Sequence, residues 1–229
     1  SVGIIAILFL IRLGKDPPLT GERQKGNMFE ALNLVRYKIM WVCGGIQYVR
    51  FGVVQGITYW LPSFLINEKG LSLQLAGFIV AIQVVLMSPS NIIGGYISDR
   101  LKNPILVIGG SLSVLGITTG LLITANNIIL LVALIFMNAI FLQMYFGPLF
   151  SVPVEILGVR KAGISIGFSN LFANIGGFSA TYLLGALKDA TGAFKPGFLT
   201  ICGACLLGLA LTFILARIRR QAALSIASP

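Results

Sequence analysis

Arg50 is a charged residue near the middle of a long apolar run, from about residue 39 to 66. A central arginine costs about 2.5–3.5 kcal/mol when a helix enters a bilayer, so it must face a cavity or a partner. With 3.6 residues per turn, Gln47, Arg50, Val54 and Thr58 share one helix face. None of the seven acidic residues lies at mid-span. We therefore expect Arg50 to bind an anionic ligand; the alternative is an ion pair with a carboxylate outside this sequence.

Uncharged polar residues recur near the middle of other apolar runs. Asn170 and Asn174 are four residues apart and so share a helix face. With Gln47, Thr58 and Arg50 they make up the predicted substrate site. Four further amides occur in the second and fourth runs: Gln83, Asn91, Asn138 and Gln143. The alternative for each is a hydrogen bond between helices, worth about 0.6 kcal/mol.

The sequence offers little for catalysis. It contains no histidine, which removes the commonest general base and metal ligand. Its cysteines, Cys43, Cys202 and Cys205, all lie in apolar runs, and we predict that they pack as small apolar residues. No phosphate-binding P-loop is present, so ATP is not the direct energy source. We predict no catalytic residue, no metal, no cofactor and no enzyme activity.

The composition indicates a membrane protein with several helices. Hydrophobic residues make up 56% of the 229 positions and charged residues 10%, against about 25% charged in soluble domains. The net charge of +10 lies in short loops and not in one basic patch, so nucleic acid is not an expected partner. Each of six apolar runs is long enough to span a bilayer. They lie at about 39–66, 72–98, 104–125, 127–150, 162–187 and 197–216.

The distribution of basic residues predicts the orientation in a cell membrane, because cytoplasmic loops are rich in Lys and Arg. One side carries 13 basic residues and the other carries Lys69, Lys188 and Lys195. The richer side includes the polar segment before the first run and the C-terminus, so we expect both to be cytoplasmic. Its basic residues are Arg12, Lys15, Arg23, Lys25, Arg36, Lys38, Arg100, Lys102, Arg160, Lys161, Arg217, Arg219 and Arg220.

The chain divides into four predicted parts. Residues 1–13 are apolar but too short to span a bilayer, and we interpret them as the end of a transmembrane helix that begins upstream. Residues 14–36 form a polar cytoplasmic linker, 37–218 the six-helix bundle and 219–229 a cytoplasmic tail.

Glycine and proline mark places where helices approach or break. Gly116-x3-Gly120 and Gly163-x3-Gly167 have the spacing that lets membrane helices pack closely. We expect Ser88-Pro89-Ser90 and Gly147-Pro148 to interrupt their spans, and Gly176-Gly177 to loosen a third. Interrupted spans are typical of transporters.

Two cytoplasmic loops resemble those of the major facilitator superfamily. Gly95, Asp99 and Arg100 resemble the G-x-x-x-D-R start of the loop between helices 8 and 9, although Lys102 replaces the usual glycine and Asn103 the basic residue that follows it. Pro153-x-Glu155 with Arg160 and Gly163 resembles the loop between helices 10 and 11, and Leu187 to Gly192 resembles the outer end of helix 11. The resemblance implies an all-α half of a twelve-helix fold, helices 7 to 12 after the end of helix 6. It also implies gating roles: Asp99 against the N-terminus of helix 11, with Gly95, Arg100, Glu155 and Arg160 in the same cytoplasmic lock.

Arg50-Phe51-Gly52 followed by Tyr59-Trp60-Leu61-Pro62 resembles helix 7 of the organophosphate and organic-anion exchangers, with a spacing longer by a few residues. In those members the arginine binds the substrate anion. The resemblance implies a secondary transporter that moves a small organic anion by alternating access, as symport or anion exchange, and that works with an N-terminal six-helix half. The alternatives are an efflux pump for apolar or cationic compounds, a channel, or a membrane scaffold or sensor.

Overall fold

A computed structural model describes residues 36–158 and 161–227, with side chains to residue 221. This part of the chain is helical and contains no strand, which confirms the all-α prediction. Residues 1–13, nearly all of the 14–36 linker and Arg160 lie outside it. The helices are α1 Lys38–Asn67, α2 Leu73–Leu101, α3 Pro104–Thr124, α4 Ile128–Met144, α5 Phe146–Leu157, α6 Ala162–Thr191 and α7 Lys195–Ala227.

The six predicted spans correspond to six long helical segments, because α4 and α5 together occupy the fourth. Within the described part of the chain, four segments could cross a membrane by length and composition: α2, α3, the α4–α5 pair and α7 to Gln221. The remaining two, α1 and α6, are each 30 residues long, or about 45 Å at 1.5 Å per residue. The last helix continues beyond the predicted end at 216, to Ala227.

The predicted breaks between spans carry helix caps. Ser72 Oγ accepts a hydrogen bond from Leu75 N at 3.3 Å, which caps α2. Asn127 Oδ1 accepts from the backbone of Ile129 and Leu130 at 2.8 and 3.3 Å and so starts α4. These bonds satisfy backbone N–H groups that the first turn leaves without a partner.

Helix α1 is the most enclosed element of the bundle. It packs along α6 and α7, while α3 packs against α7 and α4, and α2 against α4 and α5. Two crossings depend on glycine. A methyl group on Gly94 of α2 would overlap the carbonyl oxygen of Met144, and one on Gly176 of α6 would overlap that of Tyr48. Backbones in contact at these points bring α4 to α2 and α1 to α6.

One of the two expected interruptions is present. The fourth span breaks at Tyr145, just before Gly147-Pro148, as predicted. The prediction for Pro89 was wrong, because α2 continues through it; a single proline removes one N–H and leaves the rest of a long helix intact. At Gly176-Gly177 α6 is unbroken and the glycines accommodate α1; a looser helix there stays a prediction.

Of the two glycine pairs with close-packing spacing, one contacts another described helix and the other does not. A Cβ on Gly116 would lie 3.4 Å from Cys205 Cβ, and one on Gly120 would lie 3.8 Å from Cys202 Sγ, so this pair packs α3 against α7. The cysteines are free thiols within this packing, as predicted. Gly163 and Gly167, by contrast, have no other described atom within 4 Å of the Cβ position.

Candidate functional site

The guanidinium of Arg50 lies inside the bundle among amides and aromatic rings. Only 3% of the residue is exposed. Its Nε donates to Gln47 Oε1 at 2.7 Å and its Nη1 to Gln143 Oε1 at 3.2 Å. Its Cζ lies 4.4 Å from the ring centroid of Phe146 and 5.7 Å from that of Phe51. Among the described residues no carboxylate pairs with it, so its charge is met here only by neutral dipoles and π-faces.

Two elements position these groups. Gln47 stands one turn before Arg50 on α1, so helix periodicity alone aligns them. Gln143 is the next-to-last residue of α4, and Phe146 is the first of α5. Between them Tyr145 leaves the helical conformation slightly, at φ −96° and ψ 6°. The break therefore places an amide and an aromatic ring on the same guanidinium.

A cavity of about 450 Å³ lies beside this cluster. That volume is within the usual range for small-molecule sites. Its walls come from α1, α2 and the α4–α5 break, and Gln143 and Phe146 belong to both the wall and the Arg50 cluster. Arg50 itself does not line the cavity. The polar residues of the wall are Gln55, Thr58, Ser88, Asn91 and Gln143.

The structure brings three of the five predicted substrate residues onto one face of α1. Gln47 and Arg50 are in direct contact, and Thr58 lines the cavity two turns further on. The hydroxyl oxygen of Thr58 and the amide nitrogen of Gln47 are buried, and neither has a hydrogen-bond partner in the described part of the chain. Such groups are uncommon inside proteins; Thr58 belongs to the cavity wall, whereas Gln47 does not.

The other two predicted substrate residues lie elsewhere. Asn170 and Asn174 are exposed on α6, where Asn174 Nδ2 donates to the backbone oxygen of Asn170 at 2.8 Å. They share a face with Gly177, where an added Cβ would lie 2.7 Å from the Phe51 ring and 3.1 Å from Gln55 Cγ. Their helix face therefore flanks Phe51 and Gln55 of α1, and neither asparagine forms a hydrogen bond with Arg50. Their place in the substrate site stays a prediction.

The predicted gating residues that the structure describes, which exclude Arg160, lie at one end of the bundle. Asp99 and Arg100 are exposed in the last turn of α2, and the Asp99 carboxylate has no hydrogen bond within the described residues. Glu155 of α5 forms an ion pair with Arg219 of α7, at 3.1 Å to Nη2, and accepts from its Nε at 3.2 Å. The sequence had placed Arg219 only among the cytoplasmic charges.

Gly95 lies next to the helix break. Its Cα is 3.8 Å from the position of a Cβ on Gly147. This end of α2 therefore packs against the segment that follows Tyr145. The gating roles of Gly95, Asp99, Arg100, Glu155 and Arg160 stay predictions.

The sequence did not predict that Gln143 and Phe146 contact Arg50. Gln143 was recognised as a mid-span amide, which was a usable signal, but its partner is 93 positions away in the chain. Phe146 gave no signal apart from its position before Gly147-Pro148.

Comparison with known proteins assigns the family. The family model described as Major Facilitator Superfamily matches residues 1–181. The chain belongs to the major facilitator superfamily. This confirms the resemblance drawn from the loops and makes the chain part of a multi-pass membrane protein.

Curated relatives from this superfamily carry transport names. A putative tartrate transporter of Agrobacterium vitis is 29% identical over 173 residues, 74% of this chain and 38% of the relative. The probable galactarate/D-glucarate transporter GudP of Bacillus subtilis is 27% identical over 166 residues, 68% of this chain and 35% of the relative. The probable sulfoacetate transporter SauU of Cupriavidus necator is 28% identical over 159 residues, 64% and 36% of the two chains. The chain thus spans little more than a third of the length of these relatives.

Solved structures of major facilitator transporters share the fold. The E. coli fucose:proton symporter FucP superposes with a TM-score of 0.74 at 20% identity, covering 94% of this chain and 52% of that one. A bacterial homologue of the lysosomal transporter Spinster gives 0.60 at 18% identity, covering 97% and 57%. The described helices are therefore half of a major facilitator fold, as predicted.

Proposed function

We propose that this chain is the C-terminal half of a secondary transporter that moves a small organic anion across the cell membrane by alternating access. In this proposal it works with an N-terminal six-helix half, and we call the two together the complete transporter. The proposal rests above all on one observation: a buried arginine that is held by two amides beside a cavity, with no carboxylate partner among the described residues.

The environment of Arg50 suits an anion better than a neutral solute. A buried guanidinium that meets only neutral acceptors keeps most of its Coulombic attraction for a negative group. Its planar fork can hold a carboxylate through two parallel hydrogen bonds. Gln47 and Thr58 then contribute the hydrogen-bonding groups that lack partners, and Asn170 and Asn174 act from the edge of the site.

The names of the relatives narrow the class of anion. Tartrate, galactarate and D-glucarate are hydroxylated dicarboxylates, and sulfoacetate carries a carboxylate and a sulfonate. A cavity of about 450 Å³ with five polar residues in its wall accommodates such a molecule. We propose a small, hydroxylated or sulfonated carboxylate as the substrate, moved by symport or anion exchange and without catalysis or a cofactor.

A competition experiment tests the anion class. Uptake of labelled tartrate by proteoliposomes that contain the complete transporter is measured with D-glucarate, with D-glucitol or with a lipophilic cation as competitor. D-Glucitol has the carbon chain and hydroxyls of D-glucarate but no carboxylate, so it is the matched neutral control. We expect inhibition by D-glucarate alone. Inhibition by the lipophilic cation, or absence of tartrate uptake with export of apolar compounds, would favour an efflux pump.

Gating is proposed for the cytoplasmic end of the bundle. Asp99, with Gly95 and Arg100, is proposed to hold the α2–α3 corner against the N-terminus of α6, whose positive dipole attracts a carboxylate. Glu155, with Arg160, acts in the same lock, and the Glu155–Arg219 pair ties α5 to α7. The orientation proposed for the protein, with the linker and the C-terminus in the cytoplasm, rests on the 13 to 3 division of basic residues.

The gating proposal predicts that Asp99→Asn slows transport more than it weakens binding. The amide keeps the size of the side chain but removes the charge that the lock needs. Uptake rate and equilibrium affinity for D-glucarate are measured on the same preparation of complete transporter. We expect the rate to fall about two- to fivefold, because one dipole contact at an exposed position is worth about 0.3–1 kcal/mol, with little change in affinity. Ordinary turnover would leave Asp99 without a gating role.

A further inference from the structure

Gln143 stands between Arg50 and the cavity. Its Oε1 accepts the hydrogen bond from Arg50 Nη1, and the same side chain lines the cavity of about 450 Å³. Arg50 is buried and does not reach the cavity wall. A ligand in the cavity therefore meets Gln143 before it meets the guanidinium.

The hydrogen bonds from Arg50 to its two amide partners differ in length, and the partners differ in burial. The bond to Gln47 is 2.7 Å long and joins residues one turn apart on a single helix, with Gln47 only 1% exposed. The bond to Gln143 is 3.2 Å long, and Gln143 is half-buried at the end of α4, beside the break at Tyr145. Hydrogen bonds to charged groups are usually about 2.7–2.9 Å. The Gln143 bond is thus the weaker of the two and the easier to exchange.

We propose that Gln143 sets the affinity of the anion site by competing with the substrate. Its amide oxygen holds Nη1 of Arg50 until a carboxylate oxygen from the cavity displaces it. This inference rests on the proposed function. It follows from the chemistry of the acceptors, because a carboxylate adds the attraction of an opposite charge and can accept from the guanidinium bidentately, whereas a neutral amide oxygen does neither.

Competition of this kind also provides specificity. A neutral hydroxyl gains no more from Arg50 Nη1 than the amide already supplies, so a polyol cannot displace Gln143. A carboxylate gains enough to do so. Gln143 therefore discriminates by charge although it carries none itself.

The test compares two opposite substitutions at Gln143 with a matched control. Binding of D-glucarate to the purified complete transporter is measured by titration calorimetry. Gln143→Ala removes the competitor, and Gln143→Glu tethers a carboxylate to the position. The control is Gln55→Glu: Gln55 lines the same cavity from α1 and is exposed, and it makes no hydrogen bond to Arg50.

We expect Gln143→Ala to bind D-glucarate roughly three- to tenfold more tightly, because one amide hydrogen bond no longer has to be broken. Gln143→Glu should bind at least about a hundredfold more weakly, since its carboxylate pairs with Arg50. Gln55→Glu adds the same charge to the cavity without that pairing, so its loss should stay below about tenfold. Gln143→Asn serves if the alanine variant does not fold, because its shorter side chain cannot reach Nη1.

Weaker or unchanged binding by both Gln143→Ala and Gln143→Asn would overturn the inference, since Gln143 would then contact the substrate or take no part. Equal losses in Gln143→Glu and Gln55→Glu would overturn it too. Arg50→Ala separates the inference from the function on which it rests. If Arg50→Ala loses binding and Gln143→Ala binds as before, only the proposal that Gln143 competes with the substrate is contradicted. If Arg50→Ala binds normally, the proposal that Arg50 forms the anion site is contradicted as well.

Discussion

Lys102 ends α2 in a left-handed conformation, with φ 50° and ψ 26°. Among the described residues it is the only one other than glycine with a positive φ. This position is where the superfamily loop usually has glycine, for which the conformation is unstrained, whereas a residue with a Cβ loses about 1 kcal/mol or more there. The next position, Asn103, replaces a basic residue and caps α3 through a 3.3 Å bond from Leu106 N. Both departures from the loop pattern therefore affect the backbone between α2 and α3: Lys102 adopts the left-handed conformation and Asn103 caps α3.

Lys102→Gly should therefore stabilise the protein. We expect the free energy of unfolding to rise by about 0.5–1 kcal/mol, the relief of the left-handed strain exceeding the added flexibility of the unfolded chain. Thermal unfolding in detergent measures it. Lys102→Ala is the matched control, because it removes the same charge but keeps the Cβ. Equal stability of the glycine and alanine variants would show that the backbone here is not strained.

At the scale of elements, the position of every long helix could be predicted from apolar runs and loop charges. Both signals are local, because each membrane-spanning helix must be apolar along its own length and its basic residues must lie in its own flanking loops. Which helices are neighbours could not be predicted, because faces toward lipid and toward protein are equally apolar. Pro89 and Gly147-Pro148 show the same limit: both contain proline, yet only the second breaks its helix. A proline in an apolar run therefore does not by itself indicate whether the helix is broken.

The candidate site shows the same difference between features of one helix and contacts between helices. The polar face of α1 was predicted because one helix determines it. The contact from Gln143 to Arg50 was not, because it joins different helices.

The α2–α4 crossing depends on Gly94. A methyl group there would overlap the backbone oxygen of Met144, and backbone cannot move aside as a side chain can. Gly94→Ala should lower the free energy of unfolding by about 2 kcal/mol, as overpacking does. Gly77→Ala on the same helix is the control, since its Cβ would meet no described atom within 4 Å. It should be neutral or stabilising by about 0.5 kcal/mol. A similar response of both variants in thermal unfolding would contradict the packing of α2 on α4.

At the scale of the whole molecule, the chain corresponds to 52% of FucP and to little more than a third of its curated relatives. The exposed face of α6 carries Gly163, Gly167, Asn170 and Asn174, a small and polar surface that suits a protein neighbour better than lipid. We expect that the chain alone does not transport tartrate in liposomes and that joint reconstitution with an N-terminal half restores uptake. Robust uptake by the chain alone would contradict the two-half account.

The most direct measurement for the central claim is anion uptake by Arg50 variants of the complete transporter, with the amount of protein in the membrane determined in parallel. Lysine keeps the charge but loses the planar fork, and alanine loses both. We predict that Arg50→Lys lowers uptake of D-glucarate substantially and that Arg50→Ala abolishes it. The amount of protein should hardly fall, because removing a central charge lessens the cost of insertion. Near-normal uptake by well-expressed Arg50→Ala would contradict the anion site. Loss of the protein itself, rescued by neutralising a carboxylate in the other half, would show that Arg50 is an ion-pair partner and not a ligand for the substrate.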